Sequence, residues 1–347
     1  MRGLLSMEDN FEKQLVNVLN REKEMPSLVR SSLDSTYDRI RTLPKKKNRS
    51  VLKIAAVVCC IVIAGALFSN ESVRAGIKTF FDFNDKGIEK AVDKGFINEN
   101  GNSAYDNGIT VTLDSYFADS NKIGFSIKLK FEDSKMLNGV DKVSLDYRIK
   151  NGDGEYVVES IPDTKHLKGK NQYISSAIEK NSEFDLKNSE VQYDGINESN
   201  YGYIPNLENA VIEVETVKFF KDNKMLKSID GKWNLELNEG KTISVNSVEY
   251  KAKNNASNIE ILSAKSSPTS FNITFGVDGK YEDENTFGEE NMKLIDESGK
   301  EYKFNGYSMD LRGNKTIIST NFSLSSYDNV GKLKLIISSI GEVELEK

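Results

Sequence analysis

Ile109-Thr-Val-Thr-Leu113 and Ile123-Gly-Phe-Ser-Ile-Lys-Leu-Lys-Phe131 alternate apolar and polar side chains with a period of two. Successive side chains of a strand point to opposite faces. Such alternation therefore puts one face on a core and the other in water, the mark of antiparallel sheet. Val143-Ser-Leu-Asp-Tyr-Arg-Ile149 repeats the pattern, and Asn151-Gly-Asp-Gly154 after it has the composition of a hairpin turn. Val211-Ile-Glu-Val-Glu-Thr-Val-Lys-Phe219 and Trp233-Asn-Leu-Glu-Leu237 add two strands, with Trp233 as a core anchor. Between about 160 and 208 Asn, Ser and Lys dominate, and strand signals are weak.

A second set of strands follows. Ile259-Glu-Ile-Leu-Ser263 and Ser270-Phe-Asn-Ile-Thr-Phe-Gly-Val277 echo the first two strands. Met292-Lys-Leu-Ile-Asp-Glu-Ser-Gly-Lys-Glu-Tyr302 parallels Val143 to Tyr156, with its hairpin glycine in the same place. Thr316-Ile-Ile-Ser-Thr-Asn-Phe322 and Lys332-Leu-Lys-Leu-Ile-Ile337 close the set. The fold class is mainly β. We expect two Ig-like antiparallel β-sandwiches, over 105–240 and 241–347, joined near Asn238 to Val245.

The chain ahead of the strands has another character. Ile54-Ala-Ala-Val-Val-Cys-Cys-Ile-Val-Ile-Ala-Gly-Ala-Leu-Phe68 carries nothing more polar than a thiol. As a helix it would measure about 22 Å, and Val51, Leu52 and a snorkelling Lys53 bring it near the lower limit for a bilayer span. Residues 51–69 are accordingly read as a transmembrane helix. Lys45, Lys46, Lys47 and Arg49 stand before it, with Lys53 at its start, which keeps the N-terminus cytoplasmic and places the body outside. Charge agrees: residues 1–50 hold 11 Lys/Arg against 7 Asp/Glu, while the whole chain is at -6. A cleaved leader ending at Val73-Arg-Ala75 is the competing reading. Ala64-Gly-Ala66 would let two copies pair as a homodimer through this helix, although small residues also simply suit a short span. Residues 70–104 read as a juxtamembrane helical segment, interrupted by Gly76 and Gly87.

In residues 1–50, Asp9 and Glu12 form a capping box, and Phe11, Leu15 and Leu19 make one apolar stripe. After Pro26, the residues Val29, Leu33, Tyr37 and Ile40 make a second. Two such short helices are too small to hold a core alone. Either they pair with each other or on the membrane, or their apolar faces dock a cytoplasmic partner.

Catalytic chemistry has little raw material. Both cysteines, Cys59 and Cys60, lie in the apolar run, and His166 is the single histidine. No catalytic, cofactor-binding or metal-binding residues are nominated, no cofactor is expected, and the chain is not read as an enzyme. The acidic stretch Glu282 to Glu290 lacks a calcium-loop frame and reads as a solvated loop. Direct nucleic-acid binding is not expected either, since the lysines of the tail sit where topology needs them.

Several short stretches resemble a known family. They are Met25-Pro-Ser-Leu-Val-Arg30, Tyr37-Asp-Arg-Ile40, Ser72-Val-Arg-Ala75, Asp93-Lys-Gly-Phe96 leading to Asn107-Gly-Ile-Thr-Val-Thr-Leu113, and Gly231-Lys-Trp-Asn-Leu235. In these the chain resembles the DUF4179 family of Gram-positive bacterial membrane proteins, similar members of which carry a second C-terminal β domain. That resemblance implies a negative effector of an ECF-type sigma factor, an anti-sigma factor whose tail holds the sigma factor while the outer domains sense envelope conditions. The zinc anti-sigma motif H-x-x-x-C-x-x-C is missing from the tail. A surface-anchored binding or structural protein without regulatory role is the alternative.

Overall fold

The computed structural model describes residues 83–237, 247–253, 258–281 and 284–347. The first described helix is α1 (Lys86–Asp93). Nine strands follow: β1 (Asn98–Asp106), β2 (Ile109–Ala118), β3 (Lys122–Phe131), β4 (Lys142–Lys150), β5 (Tyr156–Ser160), β6 (Ser176–Asp185), β7 (Glu190–Glu198), β8 (Val211–Lys221) and β9 (Lys224–Glu236). Ten more complete the chain: β10 (Val248–Glu249), β11 (Lys251–Ala252), β12 (Ile259–Ser266), β13 (Phe271–Asp278), β14 (Met292–Asp296), β15 (Glu301–Tyr302), β16 (Phe304–Arg312), β17 (Lys315–Phe322), β18 (Lys332–Ile337) and β19 (Gly341–Glu346).

The first nine strands form one sheet of order β1-β2-β3-β7-β6 and another of order β5-β4-β8-β9. Every pairing is antiparallel. Both sheets feed one core, in which Ile109, Phe125 and Tyr193 of the first meet Ile149, Val214 and Trp233 of the second. Trp233 is fully buried, and its indole N–H donates to the Ile109 carbonyl at 3.0 Å. A Cβ on Gly231 would stand 2.4 Å from that indole, which is why the residue two before the tryptophan has no side chain.

The later strands repeat this plan. Their sheets run β10-β12-β13-β17-β16 and β11-β19-β18-β14-β15. With β10 standing for β1, β12 for β2 and so on to β19 for β9, the two strand orders coincide, and β11 is the one addition. The correspondence reaches single residues. The β2–β3 ladder slips between Leu113 and Ser115, and the β12–β13 ladder between Ile261 and Ser263, each just ahead of a four-residue turn. Asn151 accepts from the Glu155 N–H through its side chain, as Asp296 does from Lys300, and Gly154 and Gly299 take the same positive φ (86° and 82°). We name the two halves unit 1 (β1–β9) and unit 2 (β10–β19).

Residues 98–106 differ from the expectation of helix through 104: they form β1. Asn98-Glu-Asn-Gly-Asn-Ser103 has no apolar alternation because this edge strand buries no face deeply. It is held instead by pairing with β2 and by asparagines that reach β9. The Asn100 amide donates to the Glu236 carbonyl (3.0 Å) and that of Asn107 to the Asp230 carbonyl (2.8 Å), while Asn102 Oδ1 accepts from the Glu236 N–H (3.3 Å). Helix is confined to α1 among the described residues between 83 and 97. The weakly signalled region 160–208 supplies β6 and β7, of which β6 is an edge strand with largely polar, exposed side chains. No helix among the described residues is long and apolar enough to cross a membrane, and the run Ile54 to Phe68 lies outside them.

Candidate functional site

The sequence-nominated residues Phe11, Leu15, Leu19, Val29, Leu33, Tyr37 and Ile40, and the topogenic Lys45, Lys46, Lys47, Arg49 and Lys53, all lie outside the described residues. So does the segment 238–246 between the units. Among the described residues no group of His, Cys, Asp and Glu is arranged to hold a metal ion. His166 is exposed, and its backbone carbonyl accepts from Arg148 Nη2 (2.9 Å). The densest constellation of buried polar groups instead lies where the two units and α1 meet.

Matching ends of the two units face one another there. The β2–β3 turn (119–122) interlocks with its counterpart, the β12–β13 turn (267–270). Asp119 Oδ1 accepts from the backbone N–H groups of Asn121 (2.8 Å) and Lys122 (3.0 Å), closing its own turn. Its other oxygen, Oδ2, accepts from the N–H (2.8 Å) and hydroxyl (2.7 Å) of Thr269 in the opposite turn. Asn121 Nδ2 donates to the Ser270 hydroxyl at 2.9 Å and to its carbonyl at 3.2 Å, and the Ser120 and Ser267 hydroxyls are 2.8 Å apart. The ends of β7 and β17 meet alongside. Asn321 Nδ2 donates to Glu198 Oε1 (2.8 Å) and the Ser199 carbonyl (2.9 Å), and Asn272 Nδ2 to the Asn200 carbonyl (2.6 Å).

Helix α1 is seated on this joint. Asp85 caps it, with Oδ1 accepting from the N–H groups of Gly87 (2.9 Å) and Ile88 (3.2 Å). Its apolar face, Ile88, Ala91 and Val92, continues into Phe96 and packs on Phe117 and Ile196 of unit 1, with Tyr327 of unit 2 at the margin. A Cβ on Gly87 would stand 1.9 Å from the Thr269 carbonyl oxygen, so the first turn rests directly on unit 2 backbone. The opposite face of α1, with Lys86, Glu89, Lys90 and Asp93, borders an open groove whose other wall includes Lys300 to Lys303.

One lysine ties these parts together. The Lys122 side chain is fully buried; its ammonium donates to Asp85 Oδ2 and lies 3.7 Å from Glu198 Oε1. Burial works against the charge of Lys122, but the carboxylates of Asp85 and Glu198 outweigh it and hold its pKa above the ordinary lysine value. For Asp85, burial raises the pKa, and the ammonium together with the capping N–H groups brings it below the ordinary value. Asp119 goes the other way, as burial pushes it up despite its four hydrogen bonds. A charge network this dry contributes geometry more than raw stability, because desolvation consumes most of the Coulombic gain. Chemically it holds no nucleophile or base beside an open cavity. It is a clamp between three segments of one chain.

Residue types gave little warning of it. Asp85 ahead of Lys-Gly-Ile is a recognisable N-cap signal. Lys122, Glu198 and Asn321 look like ordinary polar residues at strand ends, and their partners are far away in the chain.

Residues 45–131 match the family model described as a domain of unknown function, DUF4179. The match spans the apolar run, α1 and β1–β3, and so includes Asp85, Asp119 and Lys122. No curated protein matches the chain. Among solved structures, the conserved domain protein from Bacillus anthracis is similar at 17% identity and a TM-score of 0.44, covering 70% of this chain and 77% of that one.

Proposed function

We propose that the chain is a membrane-anchored regulator, a negative effector of an ECF-type sigma factor. In this reading residues 51–69 cross the membrane once, residues 1–50 hold the sigma factor in the cytoplasm, and units 1 and 2 act outside as immunoglobulin-like sensing modules. The DUF4179 match over 45–131 supports the family background. The observation that carries the reading is the seat of α1. The first described element after the run Ile54 to Phe68 is built into the joint of the β units, so the outer body has a physical hold on the chain leading to that run.

The test compares the full chain with a chain lacking residues 1–50 in cells. The full chain should co-purify with a sigma factor and lower transcription from that factor's promoters, and the deletion should do neither. A triple substitution Leu15→Asp, Leu33→Asp and Tyr37→Asp should behave like the deletion. If the full chain captures no sigma factor and the deletion leaves transcription unchanged, the reading fails, and a surface protein with a merely topogenic tail replaces it.

A further inference from the structure

We infer that Asp85, Lys122 and Glu198 form a latch whose release frees α1 from the joint without unfolding either β unit. This rests on the regulatory reading above for its purpose, and on geometry alone for its operation. Three observations converge on it.

First, the latch touches every moving part. Asp85 belongs to α1, Lys122 opens β3, Glu198 ends β7, and Glu198 in turn accepts from Asn321 of unit 2. Second, the rest of the hold on α1 is local to the joint: a small apolar cluster and the Lys90–Asp328 pair at 3.9 Å. The helix has eight residues, too short to persist in water on its own. Its apolar contacts are a small cluster apart from the two large cores, so each core stays intact when α1 leaves. Third, the joint itself is polar. Asp119, Asn121, Thr269, Ser270, Asn272 and Asn321 meet through hydrogen bonds, which water replaces at modest cost when the surfaces part. A load that separates the units therefore pulls Asn321 from Glu198 and the Thr269 carbonyl from Gly87, loosening the latch at both ends. Freed, α1 no longer holds Asp85 at the joint.

The test is amide hydrogen exchange on the full chain in detergent or nanodiscs, comparing wild type with Asp85→Asn and Lys122→Met. Asparagine remains a good N-cap, so Asp85→Asn removes the ion pair and spares the capping bonds. Asp85→Asn should exchange the amides of residues 88–96 at least tenfold faster, while those of β3, β7, β13 and β17 keep wild-type protection. Lys122→Met should expose 88–96 as well, but with a general loss of strand protection, because it destabilises the whole fold. Lys122→Met also leaves two buried carboxylates without their cation, and should it fail to fold, Asp85→Asn decides alone. Unchanged exchange at 88–96 in Asp85→Asn overturns the latch. So does loss of protection in α1 and the strands together in Asp85→Asn, which would make the cluster ordinary core. Sigma-dependent transcription in the Asp85→Asn strain separates the two proposals. Faster exchange in α1 with unaltered transcription keeps the latch and removes its regulatory purpose, whereas slow exchange removes the latch and leaves the tail to be judged by its own deletion.

Discussion

Units 1 and 2 share a strand plan but differ in what they add to it. Where unit 1 places Lys122 opposite Glu198 at the joint, the same positions of unit 2 are Ser270 and Ser323, small and uncharged. Where unit 2 crosses from β15 to β16 through Lys303 alone, unit 1 uses residues 161–175 between β5 and β6. That longer crossing is strapped to its sheet by ions. Glu159, paired with Arg148 at 2.7 Å, accepts from the N–H groups of Lys168 (2.8 Å) and Gly169 (2.6 Å). Lys165 Nζ reaches Asp146 at 3.3 Å and the Thr216 hydroxyl at 2.9 Å. The charged additions thus lie in the unit that carries α1, and unit 2 is the plainer counterpart on which the joint closes.

The largest expected break in this comparison is Lys122→Met. Removing one side of a buried ion pair strands the other, a loss of about 3–5 kcal/mol, which denaturant titration should show as a lowered midpoint. Next is Glu159→Gln. It takes the charge from the strap's anchor at a cost of about 2 kcal/mol, as for hydrogen bonds to charged groups. Limited proteolysis within residues 161–175 should then become faster, whereas unit 2 has no such crossing to cut. Ser270→Ala probes the plain side of the joint. Asn121 keeps the Ser270 carbonyl as acceptor, so the loss should be about 1 kcal/mol, read by the same titration.

The smallest effect distinguishes the two equivalent hairpins. Partial desolvation would raise the Asp296 pKa, but hydrogen bonds from Ser298, Tyr302 and the Lys300 backbone bring it from 3.8 to about 2. The stability it lends is therefore full above 3.8 and is lost as pH falls through about 2. Asn151, its counterpart, carries no charge. Amide exchange of the 296–302 hairpin should accelerate across that acid window in the wild type, and Asp296→Asn should flatten the dependence. The 151–156 hairpin should show none of it in either protein.

The strands with a period of two were legible because one of their faces is wet. Ile109 to Leu113 alternates as its burial does, and so do Val143 to Leu145 and Met292 to Leu294, although burial continues through Asp146 and Arg148 further along β4. The antiparallel, mainly β character followed from them, and the matching hairpin glycines of the two sets were visible as well. Edge strands were not legible. The residues of β1 are polar because asparagine side chains, rather than a buried face, fix it to its neighbours. The joint was still less so. Lys122 follows Ser-Asn in what reads as a solvated turn, and only the fold brings Asp85 and Glu198 to it. Long-range charge pairing leaves no period in a sequence, so a residue such as Lys122 is indistinguishable there from the exposed Lys224.

The asparagine seam between β1 and β9 has a consequence of its own. An exposed strand edge is a template on which another chain can lengthen the sheet. Asn100, Asn102 and Asn107 occupy the Glu236 and Asp230 peptide groups of β9 with side-chain amides, and Asp106 accepts from the Lys232 N–H (2.9 Å). Growth of the sheet by a stray strand is thereby refused on that flank of unit 1. Among the described strands the invitation remains at the edges β6, with exposed Ile178, and β16, with exposed Met309 and Leu311. Unrelated chains unfolding nearby would meet this protein at those two edges first.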